Sequence, residues 1–145
     1  MPKLAGTSTL TMNDSDLTGQ IIGACFEVAK ELGHGFLEGV YEAALMVALR
    51  DRGVRAERQV PLKVHFRSVV VGEFFADMVV EGKILVELKS VGCLVPEHQA
   101  QLINYLTATG FEIGLLVNFG KPRLEYKRCR RRPAHAHAPD AGQNQ

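Results

Sequence analysis

Several features that define other classes of protein are missing from this sequence. No apolar run is long enough to span a bilayer, so the sequence predicts no transmembrane helix and no membrane partner. Residues 1–13 hold one Lys and several Thr and Ser without an apolar core, so we expect no secretory signal peptide. The three cysteines are an odd number without paired spacing, which argues against a disulfide framework and predicts a reducing, cytoplasmic setting.

The remaining composition is that of one globular domain. The 145 residues are enough to form a hydrophobic core without disulfide bonds or structural metal ions, and they are too few for two catalytic domains. Hydrophobic residues make up 46% and charged residues 23%, which excludes a chain disordered throughout and a coiled coil. We expect a flexible leader at 1–13, one domain at 14–132 and a disordered tail at 133–145.

The formal net charge of +1 conceals an uneven distribution along the chain. Residues 1–120 carry ten Lys and Arg against fourteen Asp and Glu, whereas residues 121–145 carry seven against two. A basic end of this kind can follow a polyphosphate backbone through nonspecific electrostatics, although a solvated segment beside a final strand is the alternative. The candidate nucleic-acid-binding residues are Lys121, Arg123, Lys127, Arg128 and Arg130.

The hydrophobic periodicity changes from helical to extended and back. Three helices are predicted over about 17–32, 37–52 and 96–109. Five strands are predicted over about 60–67, 70–80, 84–90, 113–119 and 123–129. Because 113–119 is nearly all apolar, we expect it at a central, parallel position reached by a right-handed crossover. The predicted fold is α/β, bordering on α+β, with a mixed sheet of about five strands flanked by helices in the order α-α-β-β-β-α-β-β.

The second predicted helix carries two carboxylates close to its apolar face. At 100° per residue, Glu38 falls inside the stripe formed by Tyr41, Leu45 and Leu49, and Glu42 falls at its margin. An unpaired buried carboxylate is costly. Glu38 must therefore reach past the end of the core or have a partner there.

The predicted hairpin of the second and third strands holds the residues best suited to chemistry. Glu87 and Lys89 share one face, so two opposite charges emerge side by side from an apolar strand. A three-residue loop at 81–83, with positive φ at Gly82 or its neighbour, places Asp77 directly across from Glu87. A two-residue loop would put the carboxylates on opposite faces. The loop length therefore decides whether these groups meet.

Two opposed carboxylates repel each other, and a divalent cation gives a reason for placing them together. Asp and Glu oxygens suit Mg²⁺ or Mn²⁺, which keeps several waters and completes its shell with phosphate oxygens. Lys89 beside such an ion could hold or deprotonate an attacking water and offset charge on a transition-state phosphate. The alternative is a cross-strand ion pair of Lys89 with Asp77 or Glu87.

Further motifs accompany these three residues. The segment GFLEGVY at 35–41 fits the pattern GxxExxY, and Asp77, ELK at 87–89 and HQAQLINYL at 98–106 follow it in order. In these motifs the chain resembles the GxxExxY proteins, a group within the PD-(D/E)XK nuclease superfamily, over about residues 17–129. The resemblance implies a restriction-endonuclease-like core.

The resemblance also implies roles for individual residues. Asp77 would be the principal metal ligand, Glu87 the second ligand and Lys89 the catalytic lysine. The backbone carbonyl of Leu88 would add a ligand, and Glu38 would match the extra helix carboxylate that many members direct at the metal. These residues together form the candidate catalytic and metal-binding set.

Supporting residues are implied on both flanking helices. Gln101 and Tyr105 resemble the Q-x-x-x-Y element of RecB-like nucleases, and four residues apart they share a helical face that could hold DNA or the catalytic lysine. Tyr41 and His98 are further candidates for supporting residues, as is Glu42 at the margin of the apolar stripe. The alternative for Tyr41 is a packed aromatic with a satisfied hydroxyl, and for His98 a helix-start residue, since Mg²⁺ prefers oxygen ligands.

One departure from the superfamily pattern is visible. Ala76 stands where the superfamily's name has Pro, a change that removes no chemical group needed for catalysis.

Taken together, the motifs predict a Mg²⁺- or Mn²⁺-dependent nuclease that hydrolyses phosphodiester bonds in DNA, and a homodimer would suit an enzyme that cuts two strands. The alternative is a non-catalytic module on the same scaffold that binds nucleic acid or a protein without cleavage and without metal.

Overall fold

The computed structural model describes residues 13–133, and the predicted leader and tail lie outside this range apart from Asn13 and Pro133. Three helices and five strands follow in the predicted order. The helices are α1 Asp14–Leu32, α2 Glu38–Asp51 and α3 Pro96–Thr109. The strands are β1 Ala56–Phe66, β2 Val69–Val80, β3 Ile84–Lys89, β4 Ile113–Asn118 and β5 Glu125–Arg130. None of these helices is both long and apolar enough to cross a membrane.

The helix ends follow local side-chain and backbone chemistry. Asn13 begins α1, because its side chain accepts the N–H of Asp16 at 2.7 Å. Pro96 occupies the first turn of α3, where its missing N–H costs nothing, and Gly110 ends the helix in the left-handed conformation with φ 87°. The predicted limits of α3 are confirmed.

The five strands form one mixed sheet in the order β1-β2-β3-β4-β5. β3 and β4 pair in parallel, and the other neighbouring strands are antiparallel. Every residue of β4 is buried, as expected for an apolar strand inside a sheet that helices cover on both faces. The predicted buried strand in a parallel pair is confirmed, although β3 and not β4 occupies the middle of the sheet. The architecture is an α+β fold.

Helices cover both faces of the sheet. α1 and α2 lie on one face, where Ile21 and Leu45 join a core with Val86 of β3. α3 lies on the other face, where Leu102 joins a second core with Leu85 of the same strand. The side chains of β3 therefore alternate between the two cores as predicted, and odd-numbered residues of β3 face α3.

β2 is much longer than its contact with β3. It pairs with β1 along almost its whole length, but it pairs with β3 only at Met78, Val79 and Val80. The rest of the β1–β2 hairpin extends past β3. A fork therefore opens between β2 and β3 immediately before Met78 in the sequence.

Candidate active site

The loop between β2 and β3 fixes the register of this fork. Val80 pairs with Ile84 across a three-residue loop, in which Glu81 and Gly82 have φ values of 53° and 66°. Left-handed values at these positions are typical of a tight hairpin connection. The predicted loop length and register are confirmed.

This register brings Asp77 and Glu87 together. The backbone N–H of Asp77 donates to Oε1 of Glu87 at 3.3 Å, and the backbone N–H of Leu88 donates to Oδ2 of Asp77 at 2.8 Å. The strand ladder has stopped here, so each carboxylate accepts a backbone donor that would otherwise lack a partner from the opposite strand. The two acids are held side by side by the backbone.

Burial makes both carboxyl groups weaker acids. It raises the pKa of Glu87 to about 7, and the negative charge of Asp77 adds to the rise. The pKa of Asp77 is also raised by burial, although the hydrogen bond from Leu88 acts in the opposite direction. A cation between the two groups would favour their ionised forms and reverse both shifts.

Lys89 lies on the same face of β3 as Glu87 and is half-buried. Its positive charge partly offsets the rise in the pKa of Glu87 that burial and Asp77 cause. Within residues 13–133, no ion pair joins the lysine to either carboxylate. The cross-strand ion pair considered as an alternative is therefore not formed, and the amine stays near the acids without being bound to them.

α2 brings two more carboxylates towards Asp77, and the two differ in burial. Glu38 is exposed in the first turn, whereas Glu42 is buried with 6% of its surface exposed. Glu42 accepts hydrogen bonds from Nε of Arg58 at 2.8 Å and Nε2 of Gln59 at 2.9 Å. Of the two alternatives that the helical wheel left for Glu38, the structure shows the first, since Glu38 reaches past the end of the core. The wheel placed Glu42 only at the margin of the apolar stripe, but partners from β1 enclose it.

Both α2 carboxylates act on the centre electrostatically. Burial is the main cause of the raised pKa of Asp77, and the charges of Glu42 and Glu38 raise it further. Glu38 also contributes to the raised pKa of Glu87, after burial and Asp77. The charges of four acids therefore act at the fork, and within residues 13–133 Glu42 is the only one of the four that forms an ion pair with an arginine.

Tyr41 holds the loop that precedes α2. Its hydroxyl donates to the carbonyl of Gly33 at 2.6 Å and accepts the N–H of Phe36 at 3.2 Å. Its ring stacks on Phe119 with 4.4 Å between centroids, and Gly35 adopts φ 108°, which favours glycine. The alternative of a packed aromatic with a satisfied hydroxyl is what the structure shows. The GxxExxY segment therefore fixes where α2 begins.

The three candidates on α3 have different surroundings. Nδ1 of His98 accepts the N–H of Val95 at 3.1 Å, so His98 closes the start of the helix, as its simpler alternative predicts. Tyr105 stacks on Phe74 of β2 with 3.7 Å between ring centroids. Gln101 is exposed on the same helical face as Tyr105. α3 thus places an aromatic ring and an amide beside the β2 strand that carries the first acid.

Comparison with known proteins places this arrangement in a family. The family model of the PD-(D/E)XK nuclease superfamily matches residues 15–129. The chain belongs to this superfamily. The crystal structure of SSO0001 is similar with a TM-score of 0.51 and 20% sequence identity, covering 73% of this chain and 55% of that one. This likeness shows the fold alone, and the chain spans little more than half of that protein's length. No curated protein matches the sequence.

The donor atoms of this PD-(D/E)XK chain fit a hard divalent cation. Within one strand the N–H and C=O of a residue point towards the same neighbour, so the carbonyl of Leu88 faces the fork as its N–H does. No group of three or more His, Cys, Asp and Glu side chains stands ready as a metal site in residues 13–133. Two carboxylates and a backbone carbonyl suit Mg²⁺, which keeps several waters.

Sequence analysis missed two polar residues near this candidate site. Asn118 is fully buried, accepts the N–H groups of Val91 and Gly120 at 2.9 and 3.0 Å, and donates to the carbonyl of Val91 at 3.0 Å. It is also the β4 partner of Lys89, so it fixes the chain that follows the lysine. A polar residue ending an apolar run was a signal for Asn118. No comparable signal in the sequence marks Gln59, the hydrogen-bond partner of Glu42.

The basic candidates near the end of the described chain do not form one patch. In β5, Lys127 lies on the α3 face of the sheet, whereas Arg128, the next residue, lies on the opposite face. Arg130 shares the face of Arg128 because it is two residues further along. Lys121 pairs with Glu125 at 3.8 Å, and Arg123 is exposed before β5. The predicted basic end is divided between two faces.

Proposed function

We propose that this chain is a divalent-metal-dependent nuclease that hydrolyses phosphodiester bonds in DNA. The observation that carries the proposal is the pairing of Asp77 and Glu87, each bonded to a backbone N–H of the opposite strand. Membership of the PD-(D/E)XK superfamily supports a nucleic-acid substrate and a divalent cation. Within the superfamily, the segment at 35–41 favours the GxxExxY group.

The residues at the fork divide the chemistry between them. Asp77 and Glu87 would hold the cation with the carbonyl of Leu88, and Glu38 would add acidic charge from the exposed start of α2. A Mg²⁺ or Mn²⁺ ion bound there supplies Lewis acidity towards a phosphate oxygen and lowers the pKa of a bound water. Lys89 would hold the attacking water and offset negative charge that develops on the phosphate.

The remaining candidates would shape the surroundings of this centre. Tyr41 and His98 are engaged in holding the starts of two helices, which supports a structural role for both. Gln101 and Tyr105 would contact DNA from α3, since they share the helical face that carries the stack on β2. The buried acid Glu42 keeps its partners on β1 and is not needed as a ligand.

A cleavage assay with matched variants tests the proposal. Purified protein with Mg²⁺ or Mn²⁺ should nick or degrade DNA, and Asp77→Ala or Lys89→Ala should abolish this while the protein stays folded. Removing one group from a centre that acts as a unit costs several orders of magnitude in rate. Lys83→Ala, at an exposed lysine in the β2–β3 loop, is the control that should keep wild-type activity.

Two results would count against the nuclease. Equal activity in wild type and both site variants would identify a contaminant as the source of cleavage. Salt-dependent DNA binding without cleavage, together with no heat of Mn²⁺ binding in calorimetry, would favour the non-catalytic binding module. Assays on single-stranded DNA, duplex DNA and RNA in parallel establish which nucleic acid is the substrate.

We propose a reducing, cytoplasmic setting for the enzyme. All three cysteines are free, with Cys25 and Cys129 buried and Cys93 exposed. Burial raises the pKa of Cys25 to about 12, which keeps it an unreactive thiol. A homodimer, which would bring two centres to the two strands of a duplex, stays a prediction that light scattering can check.

A further inference from the structure

The pairing between β1 and β2 is interrupted directly opposite the first acid of the site. Arg58 and Val60 both pair with β2, but Gln59, which faces Asp77 in this register, does not. Gln59 also has φ 48°, in the left-handed region that strains a residue with a side chain. Irregularities of this kind beside an active site commonly redirect a side chain.

At Gln59 on β1 and Asp77 on β2, the side chains of each strand exchange the two faces of the sheet. On β2, Ala76 packs in the core beneath α3, but Met78 packs in the core beneath α1 and α2. Residues two apart in a regular strand share a face, so β2 turns over at Asp77. β1 turns over at Gln59 in the same way, since the residue before it reaches α2 and the residue after it packs beneath α3. The side chain of Asp77 consequently reaches sideways to the backbone of β3.

The Gln59 side chain connects two carboxylates across this step. Its Nε2 donates to Oε2 of Glu42 at 2.9 Å. Burial is the main influence on the pKa of Asp77, which it raises, and the nearby Gln59 amide opposes that rise. A primary amide carries two N–H donors, so one amide can serve both acids. Glu42 is itself held by Arg58 at 2.8 Å.

We propose that Gln59 is a positioning residue that fixes Asp77 for metal binding by tying it to Glu42 on α2. Asp77 would then be anchored from two sides. The Leu88 N–H of β3 donates to it, and the second N–H of the Gln59 amide would reach it from the opposite register position on β1. Partners that orient a ligating carboxylate without touching the metal contribute to metal affinity. This inference rests on the proposed nuclease function, because it assumes that Asp77 binds the cation.

Two substitutions separate the amide from the backbone conformation. Gln59→Gly keeps the left-handed backbone without strain and removes the amide. Gln59→Glu keeps the size of the side chain but replaces its N–H donors by a carboxylate facing Glu42 and Asp77. We expect the Kd for Mn²⁺, measured by calorimetry, to rise about tenfold or more in both variants. Glu57→Gln, at an exposed residue of the same strand, is the matched control and should keep the wild-type Kd.

Thermal unfolding of the same samples distinguishes positioning from folding. Gln59→Gly should lose Mn²⁺ affinity while its Tm changes little, because relief of the left-handed strain offsets the lost hydrogen bond to Glu42. Lowered Tm values with an unchanged Kd in both variants would overturn the inference and leave the nuclease proposal standing. Absence of Mn²⁺ binding by the wild-type protein would overturn both.

Discussion

At the scale of single residues, the acids Asp77 and Glu87 are kept together against their own repulsion. Each accepts a backbone N–H, and the burial that raises both pKa values also removes the water that would otherwise screen the charges. No cation from the protein neutralises them within the described range, since Lys89 forms no ion pair there. Folding therefore brings the two acids together at a cost in free energy, and under the proposed function a bound divalent cation would offset that cost.

Protein without metal should lose stability as the pH rises from about 4.5 to about 7. Burial, and then the charge of Asp77, raises the pKa of Glu87 from 4.5 to about 7 in the folded protein. The folded state binds more protons than the unfolded state in this window, so the free energy of unfolding falls with rising pH, by an amount of order 3 kcal/mol for this group. Urea unfolding at both ends of the window, with EDTA present, measures the change.

Glu87→Gln should remove most of that pH dependence, because the amide does not titrate. Glu57→Gln is the control that should keep the wild-type slope, since Glu57 is exposed on β1. Saturating Mn²⁺ should stabilise the wild-type protein most at the upper end of the window, where the ligands lose their protons more readily. An identical slope in wild type and Glu87→Gln would contradict the assignment of the raised pKa to this carboxyl group.

At the scale of secondary-structure elements, the sequence predicts what depends on local period and turn chemistry. The eight elements, their order and the three-residue loop after Val80 follow from alternation, caps and glycine positions. The register of that loop alone is enough to bring Asp77 and Glu87 together. The part of the site that depends on the β2–β3 hairpin was therefore predictable.

The contribution of β1 to the site was not predictable in the same way. The turnover of both strands at Gln59 and Asp77 interrupts the period of two, and it depends on contacts with different helices on either side. For the same reason the helical wheel misjudged Glu42, because its burial comes from side chains of β1 rather than from its angle on α2. Long-range partners of a polar residue leave no trace in local periodicity.

The contact between Arg58 and Glu42 ties α2 to β1 and should contribute measurably to stability. Arg58→Ala would leave the Glu42 carboxylate buried with the Gln59 amide as its only side-chain partner. Losing one partner of a buried ion pair costs about 3–5 kcal/mol. Because Arg58 is 43% exposed, water can replace part of its contribution, and we expect a loss of about 1–3 kcal/mol in chemical denaturation.

A double variant isolates the charge from the packing in this contact. Arg58→Ala combined with Glu42→Gln should recover part of the loss, since no uncompensated charge stays buried. Arg55 lies directly before β1 and its side chain is exposed, so Arg55→Ala should lower the free energy of unfolding much less. If Arg58→Ala were no more destabilising than Arg55→Ala, the contact would contribute nothing to the attachment of α2.

At the scale of the whole molecule, one row of paired residues runs across the sheet from the acidic centre to a basic edge. Glu87 pairs with Leu116 of β4, and Leu116 pairs with Lys127 of β5. With neighbouring strands about 4.8 Å apart, the backbone of Lys127 lies about 10 Å from that of Glu87. Both side chains belong to the α3 face, whereas Arg128 belongs to the opposite face. Lys127 is therefore close enough to the acidic centre to contact a nucleic acid bound there, although the two residues are far apart in the sequence.

Lys127→Ala should weaken DNA binding more than Arg128→Ala does. Both side chains are exposed and lie in the same strand, so the two variants differ mainly in which face of the sheet loses a positive charge. If Lys127 neutralises one phosphate, its loss should reduce the slope of log K against log salt concentration by about 0.9, and the loss of Arg128 should leave the slope unchanged. Fluorescence anisotropy of a labelled duplex at several KCl concentrations measures both slopes, with Lys89→Ala as the background that prevents cleavage. Equal losses for the two variants would mean that DNA contacts both faces of β5, which the position of Glu87 and Lys89 on the α3 face does not predict.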